Sequence, residues 1–356
     1  MRRLSRRRTF AAVLLVTATS AAATAAANAA NGPVVFQRYA GASPDDRTAQ
    51  LVVRTPAGAE RQITHLPGGA FNPEWSPDGS RIVFERWAVR ARRPDQLYTV
   101  NADGGDPRPL ATGCTKAAGC LGDDGPAWSP DGTQIAFVRY ALPLVHVGRE
   151  DVPSAADLML VPAAGGAPRV LRHFAGDPLP SHPDWSPDGT KLVLPLTTKE
   201  HPTPQTPFLD ALNVLDLASG ALRPITPLAL GASDPDWSPD GTRILFSSQA
   251  GHSQFAYVVR PDGSGLRKIA HRARNHSPRR DDPRTVDART LRPRWSPDGR
   301  KIVFSSDAAP CSSQHLRECR GPERLGVFVM NADGSGAHRL THGRRSEASP
   351  SWAPAG

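Results

Sequence analysis

The 356-residue chain is 39% hydrophobic and 22% charged, the proportions of a folded globular protein rather than a disordered one. Its 36 prolines and 31 glycines, against 6% aromatic residues, favour short strands joined by turns over long helices. The formal charge of +9 does not mark a nucleic-acid-binding protein: Arg2, Arg3, Arg6, Arg7 and Arg8 supply five of those charges, and the first thirty residues contain no acid.

Residues 1–30 read as an export signal. A basic start, MRRLSRRRTF, precedes the weakly apolar run AAVLLVTATSAAATAA, and Ala27-Asn28-Ala29 offers small residues for cleavage. Arg7-Arg8-Thr9-Phe10 has the form of a twin-arginine signal. No later segment approaches the ~20 apolar residues of a membrane span, so the mature chain is expected to be soluble and without a span.

Strands begin at once after this segment. Val34-Val35-Phe36, Leu51-Val52-Val53 and Arg61-Gln62-Ile63-Thr64 precede the first copy of a repeated string, WSPDG. That string starts at Trp75, Trp128, Trp185, Trp237 and Trp295, and a degenerate copy starts at Trp352; the spacing is 52 to 58 residues. A proline lies two residues before each tryptophan. Ser-Pro-Asp-Gly supplies a type I turn, with proline fixing φ at its second position and glycine at its fourth. An apolar strand follows, such as Ile82-Val83-Phe84 or Ile302-Val303-Phe304, then a variable loop, a strand ending in a tight turn (LYTVNADGG from Leu97), and a short last strand.

Four antiparallel strands repeated at this period make a propeller blade. They are designated A (ending at Trp), B, C and D from the channel outward. The N-terminal strands lack an A, and the C-terminal Ser349-Pro350-Ser351-Trp352 is an A without followers. The expected fold is therefore an all-β, six-bladed propeller over residues 31–356. Its last strand completes the N-terminal B-C-D, placing Val34 and Trp352 in one sheet and removing the ring's edges.

This pattern resembles the TolB-like WD-type propeller repeat, in which WSPDG joins the first two strands. The resemblance covers essentially the whole mature chain. It does not extend to the N-terminal α/β domain of TolB, for which the expected signal leaves no room. TolB-like propellers also accompany the hydrolase domain of prolyl oligopeptidase-type peptidases. The nearest string to that domain's G-x-S-x-G elbow is Gly251-His252-Ser253-Gln254-Phe255, which lacks the last glycine.

Strand alternation puts the A–B and C–D turns at one end of the ring. The B–C and D–A connections lie at the other, with every long insertion: 86–96, 112–125, 140–156, 196–210, 271–292 and 306–325. This long-loop face is the expected working surface. Each innermost strand starts there, so its first residues should ring the channel mouth. They are Asn72 and Glu74, Gly125 and Ala127, His182 and Asp184, Asp234 and Asp236, Arg292 and Arg294, and Ser349 and Ser351. Asn72, Glu74, His182, Asp184, Asp234, Asp236, Arg292 and Arg294 are the candidate ligand-binding residues. The same side chains also suit a merely solvated channel.

In an exported chain Cys114 with Cys120, and Cys311 with Cys319, read as two local disulfides rather than a zinc site. His65, His173, His271 and His342 recur just after strand D in four of the six blades. That strand lies about 14 Å from strand A at the usual ~4.8 Å strand spacing, too far out for a shared metal. The arginine-rich segment from His271 to Arg294 could dock an acidic partner, and reads equally as a solvated loop. No metal or cofactor is expected. The leading expectation is a monomeric, exported, non-enzymatic binding or scaffold protein, with an extracytoplasmic protein, peptide or glycan as partner. The alternative is a glycan-active lyase or hydrolase using paired acids such as Asp184 and Asp236 at the channel mouth.

Overall fold

The computed structural model describes residues 31–41, 48–87, 94–147, 150–176, 178–198, 209–248, 254–269, 290–307, 325–343 and 345–354. The expected export signal, Cys311, Cys319, His271 and most of the basic segment lie outside them.

Six antiparallel sheets form the ring. Blade 1 pairs Val34–Arg38, Gln50–Arg54 and Glu60–Gln62 with the C-terminal strand Glu347–Trp352. Val34 pairs with Trp352, as the repeat phase requires. Blades 2, 3, 5 and 6 begin at the inner strands Phe71–Trp75, Cys120–Trp128, Ala232–Trp237 and Leu291–Trp295, each ordered A-B-C-D outward. In blade 4 the inner strand is split into Leu179–Pro180 and Asp184–Trp185.

The SPDG turns explain why the motif recurs so faithfully. In all five, the serine carbonyl accepts the glycine N–H at 2.8–2.9 Å. The aspartate Oδ1 receives the serine hydroxyl at 2.5–2.6 Å and a backbone N–H two residues on at 3.0 Å. Each aspartate is thus an Asx-type clamp, and its glycine takes the left-handed φ of 67–70° that the turn needs.

The core is divided among the junctions between blades rather than held in one centre. Trp75 packs with Val35 and Leu51 of blade 1, Trp128 with Val83 and Leu97 of blade 2, and Trp185 with Val138 and Leu158 of blade 3. Trp237, Trp295 and Trp352 repeat this against blades 4, 5 and 6. Each burial contributes roughly 2–3 kcal/mol, so the tryptophans fasten each blade to its predecessor. Packing, not the indole N–H, sets these rings. Only Trp185 donates, to the Ala127 carbonyl at 3.2 Å, and the other five Nε1 groups have no hydrogen-bond partner.

Two segments expected as loops are extended further than the repeat implies. Residues 140–156 belong mostly to a long hairpin, Gln134–Val147 with Glu150–Pro162, whose pairing runs on through Ala141 with Ala155 and Leu144 with Pro153 to Val147 with Glu150. The blade 3 inner strand starts at Cys120, where the Cys114–Cys120 disulfide, with Cα atoms 5.3 Å apart, closes a short helical turn. His173 lies within strand D rather than after it, and bonds Asp157 at 2.6 Å. No helix among the described residues is long and apolar enough to cross a membrane.

Candidate functional site

Every blade carries the same irregularity at the channel mouth. Asn72, Gly125, His182, Asp234, Arg292 and Ser349 have φ between 33° and 60°, and each immediately precedes a proline. Residues before proline ordinarily adopt extended backbone, so this is a ring of strained positions. The cause is a bulge in strand A. Phe71 and Glu74 stand opposite Glu85 and Val83, three steps against two, and the other blades repeat the offset.

The bulge frees a backbone N–H, and the preceding blade accepts it. Asn72 N donates to Gln37 Oε1 (3.1 Å), Gly125 N to Glu85 Oε1 (3.0 Å), Arg292 N to Ser247 Oγ (3.2 Å) and Ser349 N to Ser305 Oγ (3.0 Å). Gly125 is required for a second reason. A Cβ there would lie 2.6 Å from the His182 Cα, against backbone that cannot yield.

The upper tier of the channel is filled by Arg292. Its Nε lies 3.6 Å from Asp234, and its Nη2 donates to His182 Nε2 at 3.4 Å. His182 Nε2 therefore accepts, which requires a ring neutral at that atom; burial, with Arg292 adding to it, pushes the His182 pKa down. Asp124 lies 3.9 Å from the same nitrogen. Buried Glu85 accepts from Asn72 Nδ2 at 2.9 Å; burial and the neighbouring Asp124 raise its pKa well above the carboxylate range. Burial also opposes ionisation of Asp124 and Asp234, but the hydrogen bond from Glu85 to Asp124 and the charge of Arg292 beside both acids outweigh it and hold both below their usual values. About 30 Å³ of free space is left, lined by Asn72, His182, Arg292 and Ser349 among others, room for roughly one or two waters.

The lower tier is built from the residue before each tryptophan. Glu74 Oε1 accepts the N–H of Trp128 (2.9 Å), Asp184 Oδ2 that of Trp237 (2.7 Å) and Asp236 Oδ2 that of Trp295 (2.5 Å). Three of the predicted ligand-binding acids are thus also clasps between neighbouring blades. Burial raises Asp184 to about 6 and, with Asp184 adding repulsion, Asp236 to about 7. Burial and Asp184 push Glu74 well above its usual value. Arg294 lies 3.9 Å from Asp236, while its Nη1 donates to the carbonyls of Asp234, Pro235 and Pro293 at 3.2–3.3 Å. Below this tier a chamber of about 320 Å³ reaches the prolines of the SPDG turns.

The eight predicted residues therefore gather around one channel, but in two tiers with different surroundings. Sequence reasoning missed Glu85, Asp124 and Tyr140. Burial and the charges of Asp124 and Glu85 push the Tyr140 hydroxyl up, and it donates to the Pro180 carbonyl at 3.1 Å. The ligand atoms of Glu85, Asp124 and His182 lie within 4.8 Å of one another, so this trio is the set best placed in the mouth to hold a cation. Arg292, already on the same His182 nitrogen, stands in the way of one.

Solved structures settle the architecture. TolB from Acinetobacter baumannii superposes with a TM-score of 0.61 over 91% of this chain and 67% of that one, at 15% identity. A putative TolB from Agrobacterium tumefaciens gives 0.55 over 87% and 88%, at 23% identity. In fold, the chain is a TolB-like propeller. Among curated sequences, an uncharacterized protein of Agrobacterium fabrum is 28% identical over 288 residues, 80% of this propeller chain and 81% of that protein. The uncharacterized peptidase YuxL of Bacillus subtilis is 26% identical over 204 residues, 51% of this chain and 29% of its own length. No protein-family model matches the sequence.

Proposed function

We propose that the protein is an exported, non-enzymatic binding or scaffold propeller that recognises its partner on the long-loop face, with a protein or peptide favoured over a glycan. The observation that carries this reading is the pairing of a filled mouth with exposed apolar residues on the long blade 3 hairpin. With only about 30 Å³ left around Arg292, a polymer is met at the rim rather than inside. The blade 3 hairpin is built from the longest strands among the described residues and exposes Leu144 (42%) and Val145 (41%), apolar surface that suits a protein contact. The TolB-like fold supports such a role by analogy. The Cys114–Cys120 disulfide fits an oxidising compartment, in keeping with an exported chain. The lyase or hydrolase alternative is less favoured, because Glu74, Asp184 and Asp236 each hold a backbone N–H of the next blade.

The test is capture from an envelope extract of the source cell by the mature chain, in parallel with a Leu144→Asp/Val145→Asp variant. A partner retained by the wild type and lost by the variant is expected. Equal capture by both sinks the docking arm. Turnover of any member of a glycan panel that disappears in Asp184→Asn/Asp236→Asn sinks the non-enzymatic reading. Export is checked separately by fractionation, where Arg7→Lys/Arg8→Lys should trap the protein in the cytoplasm.

A further inference from the structure

The larger space in the channel lies at the opposite end from the long loops, and its chemistry differs from that of the mouth. The chamber of about 320 Å³ is walled by Trp75, Trp237, Trp295 and Trp352 and by the polar groups of Glu74, Asp184, Asp236 and Arg294. Its volume falls in the range of small-ligand pockets, roughly 300–1,000 Å³. We propose that this turn-face chamber binds an organic cation through a guanidinium group.

Three observations converge on that chemistry. First, each of the three carboxyl groups is fixed by one oxygen to a tryptophan N–H of the next blade. The second oxygen of each receives no side-chain hydrogen bond among the described residues, and all three side chains line the chamber. Second, the resident cation does not satisfy them. Arg294 directs Nη1 to three backbone carbonyls and comes only within 3.9 Å of Asp236. Three acids therefore line this space with one guanidinium.

Third, spacing distinguishes an organic cation from a metal ion. The described groups whose ligand atoms all lie within 4.8 Å of one another are Glu85–Asp124–His182 and Cys114–Cys120–Asp123; the chamber carboxyls are not among them. A single ion needs its oxygens at ~2.0–2.6 Å from one centre. A guanidinium instead presents five N–H donors spread in a plane and reaches separated acceptors. The group could belong to a free small molecule or to an arginine of a partner. The chamber lies at the turn end, so its test is independent of the long-loop reading.

The experiment is calorimetric titration of the mature chain at pH 8 with agmatine and with acetyl-Gly-Arg-Gly-amide. Controls are the citrulline form of the peptide and, separately, magnesium and calcium chloride. Guanidinium probes are expected to bind at least about tenfold tighter than the citrulline peptide. Glu74→Gln/Asp184→Asn/Asp236→Asn, whose amides still accept the tryptophan N–H groups, should lose that margin. Should the triple variant fail to fold, Ser351→Arg, which tethers a guanidinium to the chamber wall, should block the probes. Stronger binding of agmatine indicates a free ligand, and stronger binding of the peptide an arginine from a partner. The proposal is overturned by no guanidinium binding at millimolar concentration, by equal binding of citrulline, by unchanged binding in the variants, or by divalent ions binding through the three carboxyls instead.

Discussion

Arg38 and Glu347 stand 309 residues apart in the chain and form an ion pair across the strands that close the ring, with Nε–Oε1 at 2.8 Å. The Glu347 side chain is fully buried and its Oε2 has no partner, while Arg38 also reaches Glu60. Glu347→Ala leaves Arg38 without its buried counter-charge, and about 3 kcal/mol of stability should be lost in a urea titration. A variant as stable as the wild type would show that closure rests on strand pairing alone.

Gly125 allows no side chain. Gly125→Ala adds a left-handed φ for a non-glycine residue and a 2.6 Å contact with the His182 backbone. Destabilisation by at least ~2–3 kcal/mol is expected. By comparison Gly119→Ala, also at positive φ but with nothing within 4 Å, carries only the backbone strain, about 1 kcal/mol. Equal thermal midpoints for the two variants would contradict the close-approach argument.

Legibility from sequence follows the strength of local chemistry. The WSPDG turn fixes strand spacing through its own hydrogen bonds, so blade count and ring closure are legible in the repeat alone. The bulge could not, because residues before proline ordinarily favour extended backbone, and a regular strand was the natural reading of Asn72-Pro73 or Arg292-Pro293. Glu85 had a signal that went unused. Gln37, Glu85, Ser247 and Ser305 each follow the buried phenylalanine of strand B and accept the freed N–H; Val138 and Pro195 hold that place in the two blades without this clasp. Asp124 lies outside the repeat motif altogether, and only folding brings it to His182.

Stability should peak in mildly acidic solution. The Ser76 and Ser186 hydroxyls and nearby backbone N–H groups lower Asp78 and Asp188 to about 2. Their contribution is present above about pH 4 and lost as pH falls through 2. Asp184 and Asp236 have the opposite sign. Raised to about 6 and 7, they favour the fold while protonated, and that contribution disappears as pH rises from about 4 through 7. Urea midpoints from pH 2 to 8 should fall at both ends. Asp184→Asn/Asp236→Asn should shrink only the upper limb, leaving the part that buried Glu74 and Glu85 contribute, and an upper limb undiminished in this variant assigns the effect elsewhere.

Asp236 also separates charge from hydrogen bonding. Asp236→Asn retains an acceptor for the Trp295 N–H, whereas Asp236→Ala leaves that donor unpaired. The alanine variant should be less stable than the asparagine variant by about 1–2 kcal/mol at any pH. Identical unfolding curves would mean that the clasp contributes nothing between these blades.

Six similar blades would be expected to present six similar faces to anything centred on the channel. They do not. Both long arginines of the channel, Arg292 and Arg294, come from blade 6, and the blade diametrically across the ring offers Gly125 and Ala127 at the corresponding places. The pseudo-sixfold axis is thereby reduced to a single marked diameter. A partner centred on the channel would meet two non-equivalent sides, and so would have one rotational setting instead of six equivalent ones. Orientation about the axis is thus encoded in two residue positions, independently of the loops that surround them.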